Sequence, residues 1–489
     1  MVSPGSGEQR GRGLTFDDIA IVPGYSTLLP NEIDVSTSLT ATIKLKIPVV
    51  SAAMDTVTES SMAVAMAQNG GIGIIHCYLS PERQVEEVKK LKRYESWIID
   101  HPITIGLGES FSVIKKLMAQ HNISGIPVID KDKLVGIITK RDIRFVDDEA
   151  LKVEDLMTTR LITVNKGISR EEAKQTLQKN KIEKLLVVND EGNLEGLITV
   201  KDILKKEQFP HATRDRQGRL MVGAAVAVED LPRVKMLVEA GVDVLVIDSA
   251  HGHSRKVIGT VKQVKRDFDV PVIGGNVVTG EGAEDLIAAG ADAVKVGIGA
   301  GSICTTRVVT GVGVPQVTAI ENCSQVAEKY DIPVVADGGI KHYGDIAKAI
   351  AAGADTVMLG SLLAGTEETP GKKVVLEGRL YKEYRGMGSE GALETRYGTG
   401  RYTRDPKGKI VPEGVEGIVN YVGSVLDVLA DMVGGLKHAM GYAGCPTILE
   451  FKRRAVLVEV SPGGQKEAHP SVRMSKEPRN YRRSYSELA

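Results

Sequence analysis

Apolar residues in this chain gather in short unbroken runs, and most runs end on glycine or a polar residue. Eight stand out: Pro48–Ser51, Ile72–His76, Leu220–Ala224, Val244–Asp248, Val272–Gly275, Ala293–Val296, Val334–Asp337 and Thr356–Gly360. A continuous apolar run of this length suits a strand buried on both faces, and such strands belong to parallel sheets. Between the runs lie helical stretches rich in Ala, Glu and Lys, such as Asp230–Ala240, Gly282–Ala289 and Tyr343–Ala352. Eight strand–helix alternations predict an α/β fold, a (β/α)8 TIM barrel, with a doubly wound open sheet as the competitor. Either fold places its site at the C-terminal ends of the strands, which here are polar and Gly-rich.

The runs fall into a pair and a sextet, and the segment between them repeats itself. His101-Pro-Ile-Thr104 matches Arg160-Leu-Ile-Thr163, and Ile126-Pro-Val-Ile129 matches Leu185-Leu-Val-Val188, both at an offset of 59. Gly136-Ile-Ile-Thr-Lys-Arg-Asp142 matches Gly196-Leu-Ile-Thr-Val-Lys-Asp202 at an offset of 60, so the second copy has one extra residue in its turn. Two homologous α/β modules are therefore expected inside the barrel sequence. The expected domains are a discontinuous barrel over 1–93 and 209–489, and modules over 94–152 and 153–208. Arg404–Gly417 carries Pro406, Gly408, Pro412, Gly414 and Gly417 among charges and is expected to be a mobile loop, within a flap spanning about 390–420. Gly463–Ala489 is polar and expected to be extended.

Composition narrows the function. With 62 basic and 63 acidic residues, the 489-residue chain is no general polyanion binder, though a local phosphate site remains open. Aromatics at 4% with 53 glycines suit an α/β enzyme better than a nucleic-acid stacking platform. Cys77, Cys304, Cys323 and Cys445 form no CxxC pair, which fits neither a zinc site nor a disulfide framework and points to a reducing, cytoplasmic setting. Met1–Gly13 has no apolar centre, so no secretory leader is expected, and no apolar run is long enough to span a membrane.

The sharpest chemical signal is Gly297-Ile-Gly-Ala-Gly-Ser-Ile-Cys304-Thr-Thr-Arg307, directly after an apolar run. Three glycines in five residues let the backbone turn sharply, and the thiol at the end of that turn stands where a nucleophile would. A lone cysteine is more often a small apolar core residue; its neighbours tip the balance here. Asp337-Gly338-Gly339 and Gly360-Ser361 end the last two runs, where barrels commonly bind phosphate. Ser302, Ser361 and Tyr384 can add hydroxyl donors. No GxGxxG follows a first strand, so a dinucleotide would not bind in the Rossmann manner. His251 and His253 lack the carboxylate or cysteine neighbours of a metal site.

Eight stretches in order resemble the inosine-5′-monophosphate (IMP) dehydrogenase family over essentially the whole chain: Ser51–Glu59, Gly274–Thr279, Gly299–Arg307, Ala336–Ile340, Met358–Ser361, Tyr384–Ser389, Gly400–Tyr402 and Glu413–Gly417. The repeat, Gly-apolar-apolar-Thr-x-x-Asp, resembles the CBS-domain signature, so the fold implied is a TIM barrel with an inserted tandem CBS pair. That pair would hold a regulatory adenine or guanine nucleotide such as ATP or GTP, with Asp142 and Asp202 as ribose anchors; each Asp could equally be a helix cap.

The resemblance implies oxidation of IMP with NAD through a covalent adduct on Cys304, in guanine nucleotide synthesis. Water would then be activated by Arg401, assisted by Tyr402 and Thr306. Charge alone gives Arg401 a different job, since arginine is effectively always protonated and a poor base. IMP is implied to meet Met54, Ser302, Asp337, Gly338, Gly339, Gly360, Ser361, the strip Tyr384, Arg385, Gly386, Met387 and Gly388, and Glu413. NAD is implied to meet Asp248, Ser249, Asn276, Gly297, Ile298 and Gly299, with Lys295 in support. A potassium ion would be held by carbonyls of Gly299, Gly301 and Cys304, joined by Glu467, Ala468 and His469 of a neighbouring subunit in a homotetramer, with an octamer left open. Ala300 departs from the proline of many bacterial relatives. GMP reductase, which shares the barrel and cysteine, and a non-catalytic nucleotide sensor are the alternatives.

Overall fold

The computed structural model describes residues 11–481 except 95–97, 101, 122, 166, 202, 204–207, 396–410, 473–474, 476–477 and 479. The chain divides into two compact units, residues 1–92 with 211–489, and residues 93–210.

The first unit is a closed eight-stranded parallel barrel. Its strands are β1 (Val49–Ser51), β2 (Ile72–Ile75), β3 (Gly223–Val226), β4 (Val244–Asp248), β5 (Val272–Val277), β6 (Ala293–Val296), β7 (Val334–Asp337) and β8 (Thr356–Leu359). β8 pairs with β1 to close the ring. Seven of the eight apolar runs overlap their strands closely. The third is displaced: the expected Leu220–Ala224 becomes Gly223–Val226. Leu220 and Val222 are buried, but they lead into the barrel instead of joining its ladder. Burial, not pairing, is what an apolar run encodes.

Alternation within the runs fills two cores. Val50, Ile72, Ile74, Val244, Val246, Ile273, Val335 and Met358 point into the barrel, where Leu39, Ile43 and Leu45 of the N-terminal arm join them. Val49, Ile75, Leu245, Ile247, Val294, Val296 and Val357 point outward against the helices. Burying both faces of every strand is why the runs read as continuous. After β8 the chain forms an antiparallel ribbon of β9 (Lys373–Leu376), β10 (Arg379–Arg385) and β11 (Glu416–Asn420). The described part of the expected loop Arg404–Gly417 therefore ends inside β11, because Glu416 and Gly417 pair with Arg385 and Tyr384. The expected extended tail contains a helix, Pro462–Glu467, capped by the Ser461 hydroxyl.

The second unit has two cores, one around Phe111, Ile114 and Ile126, the other around Leu177, Leu185 and Ile198. Each copy of the repeat is a helix followed by a hairpin. Both hairpins carry a bulge at the same repeat position, Val128/Ile129 and Val187/Val188, 59 residues apart. The expected border at 152/153 does not follow the packing. Val153 is buried in the first core, and Ile99–Asp100 pairs with the second copy's Leu194–Thr199. Sequence repeats show which segments are homologous, whereas strand exchange decides which sheet each joins.

Candidate active site

The loop after β6 carries Cys304 at the C-terminal mouth of the barrel. Gly297 sits at φ +143°, and a Cβ there would run into the Asp337 carbonyl, so only glycine lets the loop pass β7 so closely. Arg307 holds the loop's two limbs together. Its Nε donates to the Ile298 carbonyl at 3.0 Å, and its Nη2 donates to the carbonyl of Val314. Burial pulls the Arg307 guanidinium below its ordinary value, while its proximity to Cys304 acts in the opposite sense. Arg307 lay inside the loop motif, yet sequence reasoning gave it no role, because a buried arginine bonded to carbonyls leaves no spacing signal.

Cys304 is part of a short relay. Its Sγ lies 3.2 Å from the Thr306 hydroxyl, which donates to Glu413 Oε2 at 2.8 Å. The Glu413 loop is stitched to this site by backbone: Thr305 N donates to the Glu413 carbonyl, and Cys304 bridges Gly414. Glu413, expected as a substrate contact, lines the cleft and also accepts from Thr306. Only the fold brings residues 107 apart into this line.

Opposite, Asp337 is the last residue of β7 and Gly338–Gly339 turn away at positive φ. Asn276 donates to Asp337 Oδ2 at 2.9 Å and Lys295 donates to the same oxygen at 2.6 Å. The Lys295 side chain is only 3% exposed and also reaches Asp248 Oδ1 at 3.1 Å and the Asn276 amide oxygen. One buried ammonium thus orients carboxylates from β4 and β7. A Cβ at Gly360 would stand 2.8 Å from the Tyr384 hydroxyl, so glycine there leaves room for the phenol. Tyr384 is buried, and that burial pushes its pKa up, keeping the hydroxyl a donor at any physiological pH.

One cleft is lined by Met54, Asp248, Ser249, Asn276, Gly297, Ile298, Gly299, Gly301, Ser302, Cys304, Thr306, Asp337, Gly338, Gly339, Gly360, Ser361, Tyr384, Gly386, Met387, Gly388 and Glu413. Arg385 is absent from that lining; its guanidinium pairs with Asp55 instead. Glu467, Ala468 and His469 also lie outside it, with His469 Nδ1 3.0 Å from the Tyr481 hydroxyl. Asp142 Oδ2 accepts from the Thr139 amide and hydroxyl, both at 2.7 Å, which is turn capping within its module. Arg401, Tyr402 and Asp202 lie outside the described residues.

The donor set suits the groups expected here. Fixed carboxylates accept ribose hydroxyls, and the carbonyls of Gly299, Gly301 and Cys304 are oxygen ligands of the kind a hard cation takes. The Gly301 carbonyl accepts the Cys304 N–H at 3.1 Å and keeps a second lone pair. Among the described residues no cluster of His, Cys, Asp and Glu could hold a metal through side chains.

A family model described as the IMP dehydrogenase / GMP reductase domain matches residues 13–471. The inosine-5′-monophosphate dehydrogenase of Aquifex aeolicus is 53% identical over 477 residues, covering 96% of this chain and 97% of that protein. The Bacillus subtilis enzyme of the same name is 50% identical over 477 residues, covering 96% and 98%. Among solved structures, a cysteine-to-alanine GMP reductase of Trypanosoma brucei in complex with guanosine 5′-monophosphate superposes with a TM-score of 0.89. It is 40% identical and the match covers 95% of this chain and 98% of that one.

Proposed function

The chain belongs to the IMP dehydrogenase / GMP reductase family, and we propose that Cys304 is the nucleophile with which it oxidises IMP to xanthosine 5′-monophosphate. It is an NAD-dependent IMP dehydrogenase of GMP biosynthesis. The observation carrying the residue assignment is the line Cys304–Thr306–Glu413, at 3.2 and 2.8 Å, in the cleft that also holds Asp337 and the Gly338–Gly339 turn.

The geometry of the cleft supports the following roles. Backbone and hydroxyls of Ser302, Gly338, Gly339, Gly360, Ser361 and Tyr384 hold the phosphate, and Asp337 accepts the ribose hydroxyls. The strip Gly386–Gly388 and Met54 bracket the purine. Cys304 yields its proton through Thr306 toward Glu413, and the sulfur adds to C2 of the purine. Bound NAD+ supplies the acceptor for the hydride leaving C2; Asp248, Ser249 and Asn276 hold its ribose–nicotinamide half beside Gly297–Gly299. The purine then hangs on Cys304 as a thioimidate. Water adds at C2, the sulfur leaves, and the product is released. IMP, NAD+ and water become xanthosine monophosphate, NADH and a proton. Arg401, assisted by Tyr402 and Thr306, is the base for the water step.

A potassium ion held by the carbonyls of Gly299, Gly301 and Cys304, and by Glu467, Ala468 and His469 of a neighbouring subunit, would fix the loop. That arrangement requires an oligomer, a homotetramer by the family pattern. The inserted unit is a CBS pair taking a regulatory nucleotide such as ATP or GTP, with Asp142 and Asp202 toward ribose. Four cysteines, with no disulfide among the described residues, support a cytoplasmic site of action. No described helix is long and apolar enough to cross a membrane.

GMP reductase is the second reading, carried by the likeness to the Trypanosoma brucei structure. Absorbance at 340 nm separates the two. IMP with NAD+ should raise it, and GMP with NADPH should leave it flat. The reverse pattern would overturn the dehydrogenase assignment.

A further inference from the structure

We propose that Arg385 and Asp55 are positioning residues that set the distance between the purine-facing strip and the Cys304 sulfur, without touching substrate themselves.

Arg385 ends β10, immediately before Gly386-Met387-Gly388. Its Nε and Nη2 donate to the same oxygen of Asp55, Oδ2, at 2.9 and 2.6 Å. Nη2 also donates to the Thr395 hydroxyl at 3.0 Å, at the end of the helix Glu390–Thr395. Asp55 lies in the loop after β1. Its second oxygen, Oδ1, is buried with no hydrogen-bond partner, so the carboxylate depends on this one guanidinium. Neither residue lines the cleft.

The strip between them and Cys304 is fixed on two sides. On the Asp55 side, Arg385 N donates to the Thr56 hydroxyl, Asp55 N to Met387 Sδ at 3.4 Å, and the Tyr78 hydroxyl to the Met387 carbonyl at 2.5 Å. On the Cys304 side, Gly386 N donates to Val415 O, Glu413 N to Gly388 O, and Val415 N to Ile303 O, at 2.9 to 3.0 Å. Those bonds tie the strip to the cysteine loop. The Arg385–Asp55 pair ties the same strip to the barrel rim at β1. Phosphate and ribose are held mainly by the loops after β6, β7 and β8, and Tyr384, which reaches the phosphate from β10, keeps its place through its pairing with Gly417. Releasing the pair therefore moves the purine relative to sulfur and leaves the rest of IMP anchored. A shift of about 1 Å in a reacting pair can cost roughly a hundredfold in rate.

The test uses the full chain with Arg385→Lys and Asp55→Asn. IMP affinity is read by calorimetry, the NADH burst by stopped flow, and folding by thermal melting. Asn keeps an oxygen acceptor, whereas Lys keeps the charge but not the fork. The expected result is IMP affinity within about threefold, a burst slowed roughly 30-fold or more in Arg385→Lys, a smaller loss in Asp55→Asn, and unchanged melting. IMP affinity falling in step with the burst would make Arg385 a substrate contact and overturn the inference. So would full rescue by Lys, which needs only charge, or a melting loss that tracks the activity loss. The inference rests on Cys304 attacking the purine. That premise fails separately, if wild type quenched in turnover carries no purine adduct on Cys304.

Discussion

Replacing Glu413 by Gln isolates the relay at the centre of the site. Gln is the same size and can still accept the Thr306 hydroxyl, now 2.8 Å from Glu413 Oε2. It cannot take a proton. If Glu413 merely buttresses Thr306, the loss is at most one hydrogen bond, about 0.5–1.5 kcal/mol, or roughly two- to twelvefold. If it receives the proton that Thr306 passes on, the loss is that of a general base, about 10²–10⁴-fold. The two accounts are separated by an order of magnitude. Stopped-flow absorbance at 340 nm resolves the step: NADH forms before the adduct is hydrolysed, so a slower burst marks thiol deprotonation and a slower steady state marks water activation. Thr306→Val should reproduce the effect, and the double variant should lose little more than either single one, because both cut the same path. A Glu413→Gln enzyme within tenfold of wild type in both phases would refute the relay.

Arg401→Ala should give a burst close to wild type and then stall, with a purine adduct accumulating on Cys304 by mass spectrometry and steady-state turnover down about 10²–10⁴-fold; a burst slowed as much as the steady state would place Arg401 in binding. Tyr384→Phe would remove the donor proposed for the phosphate and should raise the KM for IMP roughly 10- to 100-fold, as for a charge-assisted hydrogen bond of about 1.5–3 kcal/mol, with the burst at saturating IMP little changed. Lys92→Met should lower stability at pH 7 by about 3–5 kcal/mol, since Lys92, only 4% exposed, bridges Asp215 at 3.0 Å and Asp243 at 2.6 Å. Burial raises Asp243 despite Lys92, whereas at Asp215 burial is outweighed by Lys92 and Arg219, so its carboxyl sits below its ordinary value. A depressed carboxyl stabilises above its unfolded pKa, about 3.9, and that contribution disappears as pH falls through the folded value. The Lys92→Met deficit should therefore persist from neutrality down to about pH 4 and shrink only below it in thermal melts; a pH-independent deficit would show that packing, not charge, is what Lys92 supplies.

What the sequence determined by itself follows from burial and from local chemistry. A strand covered on both faces must be apolar throughout, so the eight runs and the barrel could be read directly. Duplication leaves matching residues at a fixed offset, so the two inserted modules could be counted. Glycines that let a loop pass close to its neighbour have no substitute, so the Cys304, Gly338–Gly339 and Gly360 turns stood out. The tertiary structure alone decided what depends on partners far apart in the chain. Leu220 and Val222 are as apolar as a strand, but hydrogen-bond register starts β3 at Gly223. Ile99–Asp100 precedes the first repeat but completes the second module's sheet. Glu413 and Arg385 sit in motif stretches that imply substrate contact. Closing the barrel and its ribbon brings Glu413 to Thr306 and turns Arg385 to Asp55, 330 residues away. Sequence carries the chemical type of a side chain and the period of its neighbours; which charge it faces is set only when the sheet closes.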